Sequence, residues 1–330
     1  MNRDESNALR YRPSYRGHYE SYFQRANHPT RKLAFWIRYT LFEPRGRPEA
    51  AVGELWAIWF DGESNRIVPV KTVFPMARCT FARDRLAARI DDATIDGRSL
   101  VGHASAGTNT IRWSLDYTSP EPPLLLLPER LYSTALPKAK ALVGSPLAVF
   151  SGSIEVDGEP HAIDRWVGSQ NHNWGEKHTD EYAWGQVAGF DGHATSFLEV
   201  STARLRIGPL TTPTISPIVL RHEGREFRFD RLRTAIGAKA SYAPFRWTFA
   251  SEADGTRIDG VIEAASSAFT ALLYDNPPGG RKVCLNSKLA SCTVKVSGRD
   301  LAPFTLTTRH RAAFEMLRDT RHPDVPVLEV

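Results

Sequence analysis

The chain has 330 residues, of which 42% are hydrophobic and 24% charged, with a formal net charge of +5. That length suits two domains of ordinary size with a sizeable core, and the composition is that of a soluble globular protein. No apolar run nears the roughly 18–20 residues that cross a bilayer, and the N-terminal MNRDESNALRYR lacks the apolar core of a secretory leader. The arginines are interspersed with acids, as in REFRFDRLR (225–233), which argues against nucleic acid as a partner. Three cysteines, Cys79, Cys284 and Cys292, show no metal-ligand spacing and read as reduced thiols of a cytoplasmic protein.

In chain order, GHYESYFQRANHP (17–29) reads as a first strand carrying His18, Tyr19, Glu20 and Tyr22. LAFWIRYTLF (33–42) and VGELWAIWFDG (52–62) are apolar on both parities, as strands covered on both faces are. Glu54 sits inside the second of these, and Arg38 in the first is its expected ion-pair partner. FARDRLAARIDD (81–92) and LPKAKALVG (136–144) carry the helical signal, and RHRAAFEMLRD (309–319) fits a terminal helix or a last strand. Most of the rest reads as strands, and VDGE, FDGH, HEGR and EADGT are hairpin tips. Short strands at regular spacing predict an all-β protein of barrels or sandwiches.

QNHNWGEKH (170–178) concentrates polar chemistry. A metal site drawn from His172, His178, His193, Glu176 and Asp180 lacks any H-x-H, H-x-x-x-H or H-E-x-x-H spacing, so no metal is expected. An acid-base site would use Asp164 or Glu176, since a carboxyl held beside indoles in a dry pocket has a raised pKa. The structural alternative is that Asn171, Asn173 and Glu176 satisfy backbone groups at a tight junction while the tryptophans are core. No phosphate loop, dinucleotide fingerprint or G-x-S-x-G elbow is present, so no cofactor is expected.

At GSQNHNWG and YAWGQVAGFDG the chain resembles the carotenoid 1,2-hydratase (hydroxyneurosporene synthase) and AttH-like proteins, and more distantly the tocopherol cyclases. The matching residues are Asn173, Trp174 and Gly175, then Trp184 and Gln186; HYESYF (18–23), GELWAIWF (53–60) and GSIEVDGE (152–159) fit the same layout. Where that pattern favours an acid and a histidine before Trp-Gly, this chain has Asn171, His172 and Asn173. The resemblance implies two tandem lipocalin-like antiparallel β-barrels with few short helices, residues 1–178 and 179–330. It also implies a cofactor-independent enzyme that hydrates or cyclises an alkene of an isoprenoid-like or polyketide-like substrate, with peripheral membrane contact compatible with uptake of so apolar a molecule. Proton-initiated alkene chemistry needs an acid and aromatic faces that stabilise a cation. Glu176 or Asp164, or His172 beside them, is then the expected acid. Trp166, Trp174, Tyr182 and Trp184 would line the cavity, and Asn173 and Gln186 would orient water or a substrate oxygen. The alternative is a lipid or isoprenoid carrier, since barrels of this type are binders first.

Overall fold

A computed structural model describes residues 1–204, 206–207 and 210–328. The chain forms two compact units, Met1–His178 with Asp275–Arg281 and Leu328, and Thr179–Tyr274 with Lys282–Val327.

The first unit holds a short helix α1 (Arg3–Asn7) and the strands β1 (His18–Asn27), β2 (Leu33–Glu43), β3 (Val52–Asp61), β4 (Arg66–Pro75), β5 (Cys79–Phe81), β6 (Ala87–Ile90), β7 (Ala93–Asp96), β8 (Ser99–Ala106), β9 (Asn109–Thr118), β10 (Leu124–Leu125), β11 (Ala139–Val156) and β12 (Glu159–Gly175). They pair antiparallel in the order β4-β3-β2-β1-β12-β11-β9-β8-β7-β6-β5. Ser105 N donates to Thr72 Oγ1 at 3.0 Å and ties β8 to β4, so the sheet curls into a nearly closed barrel. Its interior is filled, as small barrels are. Trp166 lies 6.0 Å from Phe35 and 5.6 Å from Trp59, ring centre to ring centre, and Phe150 meets Phe35 edge-on. Trp166 is therefore core rather than the lining of a cavity.

The second unit contains β13 (Glu181–Phe190), β14 (His193–Arg204), β15 (Arg206–Ile207), β16 (Leu210–Thr211), β17 (Ile218–His222), β18 (Arg225–Arg228), α2 (Leu232–Gly237), β19 (Lys239–Ala243), β20 (Arg246–Ala253), β21 (Thr256–Glu263), β22 (Thr270–Asp275), β23 (Arg281–Gly298) and β24 (Leu301–Arg318). Its main order, β18-β17-β14-β13-β24-β23-β21-β20-β19, repeats the first unit's meander. The repeat lies in the pairing order, not in residue identity. A second core gathers Trp247, Phe249, Phe269, Phe314 and Met316.

The hairpin tips behave as their sequences require. Asp157-Gly158, Glu223-Gly224 and Asp254-Gly255 all have both central residues at positive φ, the turn whose twist matches paired strands. Both expected helices are corrected to strand: 87–90 is β6, and β11 begins at Ala139. The 309–319 segment is the end of β24. Ala312, Phe314 and Met316 alternate into the core there, and pairing overrides helical propensity. Gly168 of β12 crosses so close to β1 that a Cβ would sit 1.7 Å from the Arg25 carbonyl oxygen. Only glycine fits, because β1 and β12 are adjacent in the sheet there.

Candidate functional site

The central stretch divides by strand parity. On β12, Trp166, Gln170, His172 and Trp174 face the barrel side, and Asn171 and Asn173 the other. The strand bulges at Asp164–Arg165, opposite Ser151, where Arg165 takes φ 51°. Asp164 is thrown out to solvent by this bulge. Glu176 is 31% exposed and pairs with Arg16 and Lys138, each at 3.5 Å. Neither carboxyl occupies the dry pocket expected of a proton donor.

His172 is fully buried, with both ring nitrogens facing oxygens: Glu20 Oε1 at 2.8 Å and the Ser6 carbonyl at 2.8 Å. It stacks on Tyr22 at 4.4 Å. Glu20, equally buried, also accepts from the Arg10 and Tyr11 backbone amides and from His18. Burial pushes its carboxyl up, but the hydrogen bonds from His172 and His18 outweigh that and hold it at about 2. Asn7 exchanges two amide hydrogen bonds with Gln170, and Trp174 packs on Tyr132 under the Arg10 guanidinium. Together these groups fasten the N-terminal segment, capped at α1 by Asn2 and Glu5, onto the barrel. His172 and Trp174 are anchors. Asn173 Oδ1 is buried and has no hydrogen-bond partner among the described residues, and His178 stacks on Tyr19 and donates its backbone amide to Asn276 Oδ1.

On the other face of this sheet lies a cleft of about 420 Å³. Phe42, Val52, Val73, Pro277 and Pro278 give it apolar walls, Arg45 and Arg47 line it with cations, and Glu54 and Lys71 reach it from adjacent strands. Its size is that of a small-molecule site. Lys71 Nζ lies 2.9 Å from Glu54 Oε1, and both side chains are under a tenth exposed. Trp56 Nε1 donates to Glu54 Oε2 at 3.0 Å, and Lys71 sits 4.3 Å over the Trp56 ring. The expected Arg38–Glu54 pair is thus corrected: Glu54 takes Lys71, which stands diagonally across on β4 opposite Trp56, while Arg38 donates to Ser21 Oγ. Sequence reading noticed Glu54 as a lone acid in an apolar strand but had no means of seeing Lys71, because the pairing register of β3 and β4 decides it.

In the second unit, Trp184 and Gln186 stand on the face of β13 opposite the core. Trp184 Nε1 and Gln186 Nε2 donate to the two oxygens of Glu199 at 2.7 and 2.8 Å. Beside them Lys288, fully buried, pairs with Glu315 at 2.7 Å and lies 5.6 Å over Trp184. Asn286 completes the set through Glu315. Tyr182 lies two residues before Trp184 on β13 and is half-buried. Glu199, Glu315 and Lys288 were missed because each sits singly in an alternating strand. The metal candidates around 172–180 do not converge; among the described residues His193, His222 and Glu223 do.

No family model matches the sequence. An uncharacterized protein of Mycobacterium tuberculosis, from strains CDC 1551 and H37Rv, is 23% identical over 298 residues, 86% of this chain and 82% of its own. Among solved structures, kievitone hydratase from Nectria haematococca superposes with a TM-score of 0.58 at 11% identity, covering 97% of this chain and 93% of that one. A candidate AttH from Nitrosomonas europaea gives 0.57 at 13%, covering 96% and 98%. CghA gives 0.56 at 13%, covering 93% and 90%. No described helix is long and apolar enough to cross a membrane. At these identities the likeness is one of architecture, and the chain has the AttH-like, lipocalin-related β-barrel fold.

Proposed function

We propose that the chain is a cofactor-independent enzyme that adds an O–H group across an activated alkene of an apolar small molecule, by hydration or ring closure, in the cleft above Glu54 and Lys71. The observation that carries this reading is a buried carboxylate–ammonium pair at the edge of a cleft of substrate size, walled by Phe42, Val52, Val73, Pro277 and Pro278 on its apolar part and by Arg45, Arg47, Asp275 and Asn276 on its polar part. Glu54, oriented by the Trp56 indole, takes the proton from the attacking water or substrate hydroxyl as the C–O bond forms. Lys71 delivers a proton to the far alkene carbon, and the electron pair of the C=C bond forms the C–H bond. Glu54 then returns its proton to Lys71 across their 2.9 Å contact, and the pair is restored. The alkene must be conjugated to an electron-withdrawing group, because an ammonium is too weak an acid for an isolated one. The name of kievitone hydratase, a structural neighbour, is consistent with such an addition.

The test is incubation in D2O with a panel of apolar enones, dienones and other alkenes conjugated to a carbonyl group. The wild type is expected to place one carbon-bound deuterium in product, and Glu54→Gln to slow this by about 10²–10⁴. Equal rates in the variant would remove Glu54 from the chemistry. A second reading, a carrier of apolar molecules, is favoured by one observation: Glu54 and Lys71 already satisfy each other, as charges beside a binding cleft do. Ligand binding without conversion of any panel member supports the carrier.

A further inference from the structure

His193 opens β14 just after the Asp191-Gly192 turn, and His222 closes β17 just before the Glu223-Gly224 turn. Because β14 pairs with β17, the two hairpin tips lie side by side, and the imidazole centres are 5.1 Å apart. One ligand atom from each of His193, His222 and Glu223 lies within 4.8 Å of the other two.

The surroundings prepare one of these nitrogens to bind. Ser196 Oγ hydrogen-bonds His222 Nδ1 at 2.7 Å, which leaves Nε2 aimed at Glu223 Oε1, 3.8 Å away. An outer hydrogen bond on the far nitrogen is how ligating histidines are oriented. Phe304 stacks on the same ring at 4.5 Å and fixes its plane. His222 is 7% exposed. At 3.8 Å the His222–Glu223 approach is too long for a hydrogen bond, so pairing between them does not account for the cluster.

We propose that His193, His222 and Glu223 form a binding site for a divalent cation of zinc type, which clips the β13–β14 and β17–β18 hairpin tips together. Two imidazoles and a carboxylate suit zinc and leave a fourth position for water. Bonds of about 2.0 Å in a tetrahedron place ligand atoms roughly 3.3 Å apart. The present spread closes to that through Glu223, whose side chain is 73% exposed, and the half-buried His193. The site stands independently of the chemistry proposed for the cleft.

The experiment is a titration of untagged, chelator-treated protein with ZnCl2, read by calorimetry and by melting temperature. The expected result is one zinc per chain, a raised melting temperature, and binding weakened at least roughly tenfold in His193→Gln and in His222→Gln. MgCl2 is expected to leave the melting temperature unchanged. His193 is only half-buried, so His193→Gln carries the test if His222→Gln fails to fold. Absence of saturable zinc binding in the wild type, zinc affinity unchanged in His193→Gln, or an equal response to MgCl2 would overturn the assignment.

Discussion

Glu20→Ala is expected to cost about 3–5 kcal/mol of folding free energy, the usual cost of removing one member of a buried ion pair. His172 would lose its carboxylate while remaining fully buried, and the amides of Arg10 and Tyr11 would lose their acceptor. The N-terminal segment then keeps the Asn7–Gln170 amide pair, the Ser6 carbonyl on His172, the Arg3 guanidinium on the Gly144, Ser119 and Glu121 carbonyls, and the Tyr22 hydroxyl on the Asn7 carbonyl. The pH dependence follows from the same group. The Glu20 carboxyl is at about 2 in the folded protein against 4.5 for an unperturbed one. A depressed carboxylate stabilises fully above its unfolded value and loses that contribution as pH falls from about 4.5 toward about 2. The contribution is of the order of 3 kcal/mol. Urea unfolding at pH 7 and at successive pH values below 4.5 checks both statements. A variant as stable as the wild type at pH 7, or one that loses as much stability below pH 4.5, would mean that the Glu20 hub does not hold the segment.

Lys288→Met in the second unit is expected to cost about 3–5 kcal/mol as well, for a reason that a second substitution can isolate. Lys288 is fully buried, and its ammonium donates to Glu315. Methionine keeps most of the volume but leaves the Glu315 carboxylate facing Asn286 without its cation. Replacing both partners, Lys288→Met with Glu315→Met, removes the stranded charge and is expected to recover most of the loss, since apolar replacement of a whole buried pair is often neutral or better. Chemical denaturation of the three proteins reads this directly. A double variant as unstable as the single one would show that packing rather than charge determines the cost.

Much of the fold was legible because local chemistry and pairing agree. Asp157-Gly158 and Glu223-Gly224 announce their turns, and the two-sided apolar pattern of 33–42 announces a strand covered on both faces. The 136–144 segment was misread because Lys138 to Leu142 favour a helix locally, whereas Ala139–Val143 pairs with β12 and takes strand geometry. The site was harder to read because its members meet through register. QNHNWGEKH drew notice as a dense polar cluster, yet its partners Glu20, Ser6 and Asn7 lie more than 150 residues earlier, and they make it an anchor. Glu54 becomes a pair only once the β3–β4 register sets Lys71 diagonally across from it, opposite Trp56. His193 and His222 escape any spacing rule because neighbouring hairpins, not one helix or loop, bring them together.

The most direct test of the central claim, that the cleft beside Glu54 and Lys71 receives an apolar small molecule, is native mass spectrometry of the protein as purified from its host, alongside Val73→Arg. Val73 lines the cleft and is 43% exposed, so arginine there fills the apolar space without opening a core. The expected result is a small apolar adduct on the wild type that is absent from Val73→Arg and still present on Glu54→Gln. An adduct held equally by Val73→Arg would place the ligand elsewhere and contradict the account.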